Sequence, residues 1–323
     1  MSKDLLFYSK KFAKLRLDRV RGIAPHKPIL LLSAIALIQQ GIIRQNRIFL
    51  SPELIATFLK YWSFLGSESH RSDIAQPFFH LQSEGFWHLK AKAGFEPVIN
   101  SKVKIKTLNG LRDSVQYAYF DDELFKLIQN LSSRNSLIDI LINTWFSDKS
   151  SQIEQLFQIN SFQEFQDRLR ERGGAVYSVD EVEDESKLIV RDAAFRRIVV
   201  SAYEYRCAFC ALQVLNSLNQ HIVDGAHIKP FSQFRDDRFD NGLSLCKNHH
   251  WAFDRGWFAV DDDYRIVVSK DLREESPHEQ TMRDFHGQNI VLPAQQSYLP
   301  RIEALRWHQE NVFNQGDQLF LEY

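Results

Sequence analysis

The chain has 323 residues, 44% of them hydrophobic and 25% charged, with a formal net charge of −1, which is enough for two domains with separate cores. Its most apolar run, Pro28 to Ile38, is too short to span a bilayer and reads as a buried helix, and the opening MSKDLLFYSKKFAKLRL lacks the apolar stretch and cleavage site of a secretory signal. Three cysteines, an odd number, argue against a disulfide framework and for a reducing, cytoplasmic setting without membrane contact.

The near-zero net charge hides an asymmetry. Residues 1–106 carry 17 Lys and Arg against 7 Asp and Glu, residues 107–190 carry 8 against 15, and residues 191–323 carry 15 against 19. A polyanion would therefore be drawn mainly to the first third.

Lys27 to Gln40 has the pattern of a helix, with Pro28 in its first turn and Gly41 just past its end. Ser51-Pro52-Glu53 starts a second one, Ser51 acting as cap. The aromatic run from Phe78 to Leu89 is expected to form a hairpin that turns near Ser83-Glu84-Gly85. Lys102, Lys104 and Lys106 alternate with Val103 and Ile105, giving one cationic strand face that is either a phosphate contact or simply solvated. Residues 121–146 have helical patterns and close the first domain. An acidic, polar stretch follows, with Gly173-Gly174, VDEVEDES and one amphipathic helix, FQEFQDRLRER. A second domain opens near Val190 with the helical VRDAAFRRIVVSAYEYR. Trp257 to Val268 is expected to be a hairpin, and LPRIEALRWHQENVF a closing helix.

The strongest local signal is Cys207-Ala-Phe-Cys210, followed after 35 residues by Cys246-Lys-Asn-His249. Two paired ligands of this spacing wrap two knuckles around one ion, and three thiolates with an imidazole suit structural zinc in a closed tetrahedron. The alternative is a set of buried thiols packed as small hydrophobes. Around this frame lie His227, late on a strand-like HIVDGAHI, and Asn241, just before a second short strand. His250 and Asp254 follow at i and i+4 on one helical face, a spacing that lets both grip one ion. A histidine can take a proton from water, and a divalent ion (Mg2+, Mn2+ or similar) can stabilise charge on a phosphate and its leaving oxygen. Asp254 could equally pair with Arg255 or cap a turn, and His221 is given no role.

At AHIKP, DNGLSLC and HHWAFDRG, in this order, residues 190–270 resemble the HNH endonuclease family, whose fold is a two-stranded hairpin and a helix around one divalent ion. The resemblance implies His227 as general base, Asn241 as the residue fixing the loop that orients it, His250 as metal ligand and Asp254 as second ligand. Many members carry an acidic residue or histidine directly before the base. Here that position is Ala226, and Asp224 or water would take its place.

Two segments of the front region, APHKPILLL (Ala24–Leu32) and QPFFHLQSEGFWHL (Gln76–Leu89), look like the sulfur-binding domain of modification-dependent restriction endonucleases, which join such a domain to an HNH nuclease. By this resemblance Pro77 touches the sulfur of a phosphorothioate and Phe78 shapes the cavity. His26 and Lys27 lie beside the modified phosphate, with Arg19, Arg21 and Arg71 as further cationic contacts. Without it, Pro77 is an edge-strand or turn proline and His26 a helix-start residue. A surface that prefers sulfur needs an apolar contact, because sulfur is larger, more polarisable and a poorer hydrogen-bond acceptor than oxygen, and cations for the remaining charge.

The fold class expected is α+β: a mixed DNA-recognition domain over 1–146, an acidic connector over 147–189 and a zinc-stapled ββα-metal (HNH) nuclease domain over 190–323. The function expected is type IV restriction, cutting double-stranded DNA near phosphorothioate sites, in a form compatible with a homodimer. The rival readings are an HNH nuclease that reads a modified base or plain sequence, and a zinc-stapled DNA-binding protein that does not cut.

Overall fold

A computed structural model describes residues 3–20, 22–100, 105, 107–149, 156–157, 159–217, 220–275 and 280–313. It divides the chain into two compact units, Met1–Phe165 with Asp184–Val190, and Gln166–Glu183 with Arg191–Tyr323. No described helix is long and apolar enough to cross a membrane. Arg21 and the alternating Lys102, Val103, Lys104 and Lys106 lie outside the described residues.

In the first unit, α1 (Leu5–Phe12) starts at Asp4, whose side chain accepts from the Phe7 amide. Helix α2 (His26–Gln39) is buried from Lys27 to Ile38, as an all-apolar helix must be. Past its end Gly41 takes φ +71°, a conformation glycine adopts without steric cost. Helix α3 (Pro52–Leu65) is capped by Ser51, as its sequence requires.

The hairpin expected over Phe78–Leu89 is not formed. Instead α4 (Ala75–His80) and a 3-10 turn (Leu81–Glu84) lead through Gly85, at φ +79°, into β1 (Trp87–Ala91). The Asp73 carboxylate accepts from the Ala75 and Gln76 amides, and Pro77 sits in the first turn, where a missing N–H costs little. Pro77, Phe78 and Phe79 are consecutive and all buried, which a strand with one solvated face cannot accommodate. The partner of β1 comes from much further along the chain. After α5 (Glu96–Asn100) and α6 (Leu108–Ser114), β2 (Val115–Phe120) pairs antiparallel with it, Trp87 opposite Phe120. Helices α7 (Asp122–Gln129) and α8 (Leu131–Trp145) close the unit, separated at Asn130, whose side chain caps the second of them.

Helix α9 (Ser161–Arg172) follows, then α10 (Glu185–Ala202). Much of the expected connector is part of the second unit. Past α9 the chain pairs with the loop 235–239: the Asp237 amide donates to the Ala175 carbonyl, Tyr177 N to Arg235 O and Phe239 N to Gly173 O. This unit holds an antiparallel hairpin of β3 (Val223–His227) and β4 (Gly242–Cys246), with His227 opposite Gly242. A short α11 (Phe231–Phe234) lies between them, and α12 (Lys247–Asp254) leaves directly from β4. The expected second hairpin, β5 (Phe258–Val260) with β6 (Ile266–Val268), and the closing helix α13 (Ile302–His308) are present. The first hairpin packs tightly on α10: a Cβ on Gly225 would lie 2.8 Å from Arg196 Cα, so only glycine fits there.

The start of α2 is tied to the 3-10 turn by a buried ion pair, Lys27 Nζ to Glu84 Oε1 at 2.5 Å, and the same oxygen accepts from the Arg16 amide at 3.1 Å. Removing one partner strands a buried charge. Lys27→Ala is therefore expected to destabilise the chain by about 3 kcal/mol, and Lys27→Ala with Glu84→Gln to recover part of the loss. Denaturant unfolding of full-length protein checks this; a Lys27→Ala chain of unchanged stability would show that the pair contributes nothing.

Candidate functional site

The second unit gathers Cys207, Cys210, Cys246 and His249, whose ligand atoms all lie within 4.8 Å of one another. His249 Nδ1 is 3.1 Å from Cys246 Sγ and 3.5 Å from Cys207 Sγ. A tetrahedral ion with metal–sulfur bonds of about 2.3 Å sets its donors roughly 3.8 Å apart, so the four fit one small ion in number, kind and spacing. Burial works to lower the His249 pKa, but hydrogen bonds that its protonated ring donates to the Cys210 and Cys246 sulfurs outweigh it and leave it raised to about 9. The imidazole also stacks on Phe209, ring centres 4.1 Å apart. Among the described residues this is the one cluster that brings three or more such donor atoms together.

His227 stands at the end of β3, its side chain only 10% exposed. Its ring lies flat on Phe195, with centroids 3.9 Å apart and planes 6° apart, and Nε2 is 2.8 Å from Asp237 Oδ1. Asp237 is fully buried and takes Arg191 Nη1 on both oxygens at 2.9 Å. Asn241, also fully buried, joins two loops. Its Oδ1 accepts from the Lys229 amide, and its Nδ2 donates to the Lys229 and Asp236 carbonyls. Asn241 thus ties the Lys229 backbone to the segment that carries Asp237. Asp237 and Arg191 were not singled out from sequence. The only signal for them is a buried-pair candidate, an arginine on one helix and a carboxylate in the acidic run DDRFD, among many exposed charges.

His250 faces two carboxylates, but on opposite edges of its ring. Asp224 Oδ2 lies 3.8 Å from Nδ1 and Asp254 Oδ2 lies 3.6 Å from Nε2. Since one ring nitrogen ligates one ion, Asp224 and Asp254 do not converge with His250 on a single ion as the side chains stand. Asp224 also contacts Lys247 Nζ. Contact with His250 and then with Lys247 holds the Asp224 carboxyl far below the usual range, against the opposing effect of burial. Asp254 is more exposed and has His250 as its neighbour.

In the first unit, His26, Lys27 and Pro77 line one cavity of about 590 Å³, together with Arg16, Gln76 and His80. The His26 ring packs on Trp62, centroids 4.5 Å apart, and its Nε2 bonds the Arg71 carbonyl at 2.9 Å. Burial lowers the His26 pKa against the opposing effect of that carbonyl, which favours the uncharged ring. The Lys27 ammonium is taken up by Arg16 O, Ser83 Oγ and Glu84 Oε1, so its charge is spent inside the protein, and Arg16 is the exposed cation at the cavity. Phe78 is buried below, edge-on to Trp87, whose Nε1 donates to the Phe78 carbonyl. Arg19 and Arg71 are exposed, and neither side chain is part of the cavity wall.

Residues 207–261 match the family model of an HNH endonuclease, and residues 8–158 match that of the ScoMcrA-like DNA sulfur-binding domain. The chain thus joins a segment that matches a sulfur-binding-domain model to one that matches an HNH model. Three solved structures are similar in part. A modification dependent TagI restriction endonuclease is 22% identical, with 38% of this chain and 39% of that one covered and a TM-score of 0.29. The sulfur-binding domain of ScoMcrA complexed with phosphorothioated DNA is 21% identical over 46% of this chain and 94% of its own, at a TM-score of 0.37. That of SprMcrA, likewise complexed with phosphorothioated DNA, is 19% identical over 44% and 86%, at 0.35. The chain thus spans about two fifths of the restriction endonuclease it matches, and the two family matches carry the assignment. No curated protein matches.

The HNH module's cysteine cluster leads to a direct test. Purified protein is expected to hold about one tightly bound ion per chain, and Cys246→Ser to lose it and to lower the unfolding midpoint. Elemental analysis finding no metal in protein of full stability would contradict the cluster's role.

Proposed function

We propose that the protein is a type IV restriction endonuclease that hydrolyses phosphodiesters of double-stranded DNA near phosphorothioate sites, in the cytoplasm. The observation that supports it most is the pairing, in one chain, of a Pro77-lined cavity inside a sulfur-binding-domain match with a buried histidine site inside an HNH match. The cysteine cluster is a structural zinc site in this reading, since three thiolates and one imidazole form a closed set with no open position for substrate.

Recognition follows from the cavity. The Pro77 and Ala24 walls receive the polarisable sulfur without leaving a hydrogen-bond donor unpaired. Arg16, with Arg19 and Arg71 on the surface nearby in sequence to its wall, supplies the attraction to phosphates of either kind. His26, neutral and held by Trp62 and Arg71, presents its ring edge to the modified phosphate.

In hydrolysis His227 takes a proton from the attacking water. The water oxygen bonds phosphorus, one P–O ester bond breaks, and its electron pair leaves with the sugar oxygen, which picks up a proton from solvent. His250 Nε2 with Asp254 would hold a divalent ion, which would supply stabilisation of charge on the phosphate and the leaving oxygen. Asp224, on the opposite ring edge, backs His250 as carboxylates commonly back metal-binding imidazoles.

His227→Ala is expected to reduce cleavage roughly 10²-fold or more while leaving DNA binding intact, as measured by single-turnover cleavage and by binding to the same duplex. Pro77→Ser is expected to shrink the preference for the modified duplex and leave the weak salt-dependent binding unchanged. Wild-type cleavage by His227→Ala would remove the catalytic reading. Equal affinity of the wild-type chain for modified and plain duplexes in several sequence contexts would favour a modified-base or plain-sequence reader.

A further inference from the structure

We propose that Asp237 is the positioning residue of His227: it receives the Nε2 proton, and so assigns Nδ1 as the atom that accepts the proton of the attacking water, while Arg191 anchors the carboxylate. This rests on the nuclease reading above and goes beyond it by naming the atom and the residues that fix it.

The imidazole has little freedom. Phe195 lies stacked on one face at 3.9 Å, and Phe231 is tilted at a centroid distance of 5.9 Å. Of its two nitrogens, Nε2 meets Asp237 at 2.8 Å, and among the described residues nothing hydrogen-bonds Nδ1. A carboxylate oxygen only accepts, so the neutral ring carries its proton on Nε2 and its lone pair on Nδ1.

The carboxylate is equally constrained. Asp237 is fully buried, and a carboxylate out of water needs a compensating cation. Arg191 supplies it to both oxygens at 2.9 Å, and its guanidinium lies 3.1 Å over the Phe231 ring, so the cation is itself held from a second side. The backbone is pinned around Asp237. Its amide donates to Ala175 O, and the preceding Asp236 carbonyl accepts from Asn241 Nδ2. A Cβ on Gly174, at φ +103°, would lie 2.3 Å from the Asp237 carbonyl oxygen, so this approach requires glycine. The asparagine of the motif therefore reaches the base through Asp237. A purely structural ion pair would need only Arg191 and Asp237; the third contact, to a stacked histidine at the end of β3, is what an orienting carboxylate adds.

Two measurements on the full-length, metal-loaded chain test this. In wild-type protein with 15N-labelled histidine, the His227 ring signals are expected to show the Nε2–H tautomer; a proton on Nδ1 instead would overturn the proposal without any variant being made. Asp237→Asn is expected to lower the single-turnover cleavage rate by about 10²-fold or more at saturating DNA. Affinity for the duplex should stay within about twofold, and Asp237→Glu should restore part of the rate, an outcome a merely structural role would not give. An Asp237→Asn chain that folds and cleaves at the wild-type rate, while His227→Ala does not cleave, would refute positioning by Asp237 and leave the nuclease reading standing. Wild-type cleavage by both variants would remove both.

Discussion

The second unit depends on one constraint: four ligands from two distant stretches of chain must meet at one point. Cys207 and Cys210 form one knuckle, and Cys246 and His249 bracket the first turn of the helix over Lys247–Asp254. That helix follows the hairpin strand without any loop, and its next residue is His250. The cluster therefore decides where His250 and Asp254 project. The hairpin contains only five-residue strands, too little apolar surface to hold such a corner unaided. An ion bound there by the folded form alone would add its binding free energy to folding.

Against that corner, the hairpin carries His227 into a second network built on burial. Gly225 admits the backbone of the helix over Glu185–Ala202, which brings Phe195 under the imidazole and Arg191 to Asp237. A charge pair of this kind is costly to desolvate and adds little net stability over an apolar isostere. Its benefit is geometric, since a stacked ring with one nitrogen committed has a single orientation to offer. The front unit uses the same device to another end. Its Lys27–Glu84 pair fixes Lys27 at a cavity that Pro77 and Arg16 also line.

What could be read from the sequence followed the range of the interactions. The cysteine frame, the two strands around Asn241 and the i, i+4 pair of His250 and Asp254 are local patterns with fixed spacing, and the structure has them. The Lys27–Glu84 pair was not legible because the partners are 57 residues apart and no local pattern reveals a buried ion pair. Phe78 to Leu89 read as a hairpin because aromatic strand formers flank a turn sequence, whereas burial on consecutive residues and the Asp73 cap make the first half helical. The stretch past Arg172 read as a connector because it is acidic and polar, yet its backbone carbonyls at Gly173 and Ala175 support the loop that bears Asp237. Backbone pairing of this sort is nearly independent of side chains and leaves no trace in composition. The convergence of Asp224, His250 and Asp254 on one ion is the converse case. Spacing allows it, and the ring geometry of His250 places the carboxylates on opposite edges.

The claim that joins both units is that sulfur in the DNA backbone licenses cutting by the His227 site. It is tested most directly by incubating the full-length protein and a divalent ion with two duplexes identical except for one phosphorothioate, at rising salt. General phosphate attraction affects both duplexes and fades with salt. The account predicts cleavage near the sulfur on the modified duplex that persists after cutting of the plain one has disappeared. Equal cleavage of the two duplexes at every salt concentration, or no cleavage of the modified one, would contradict it.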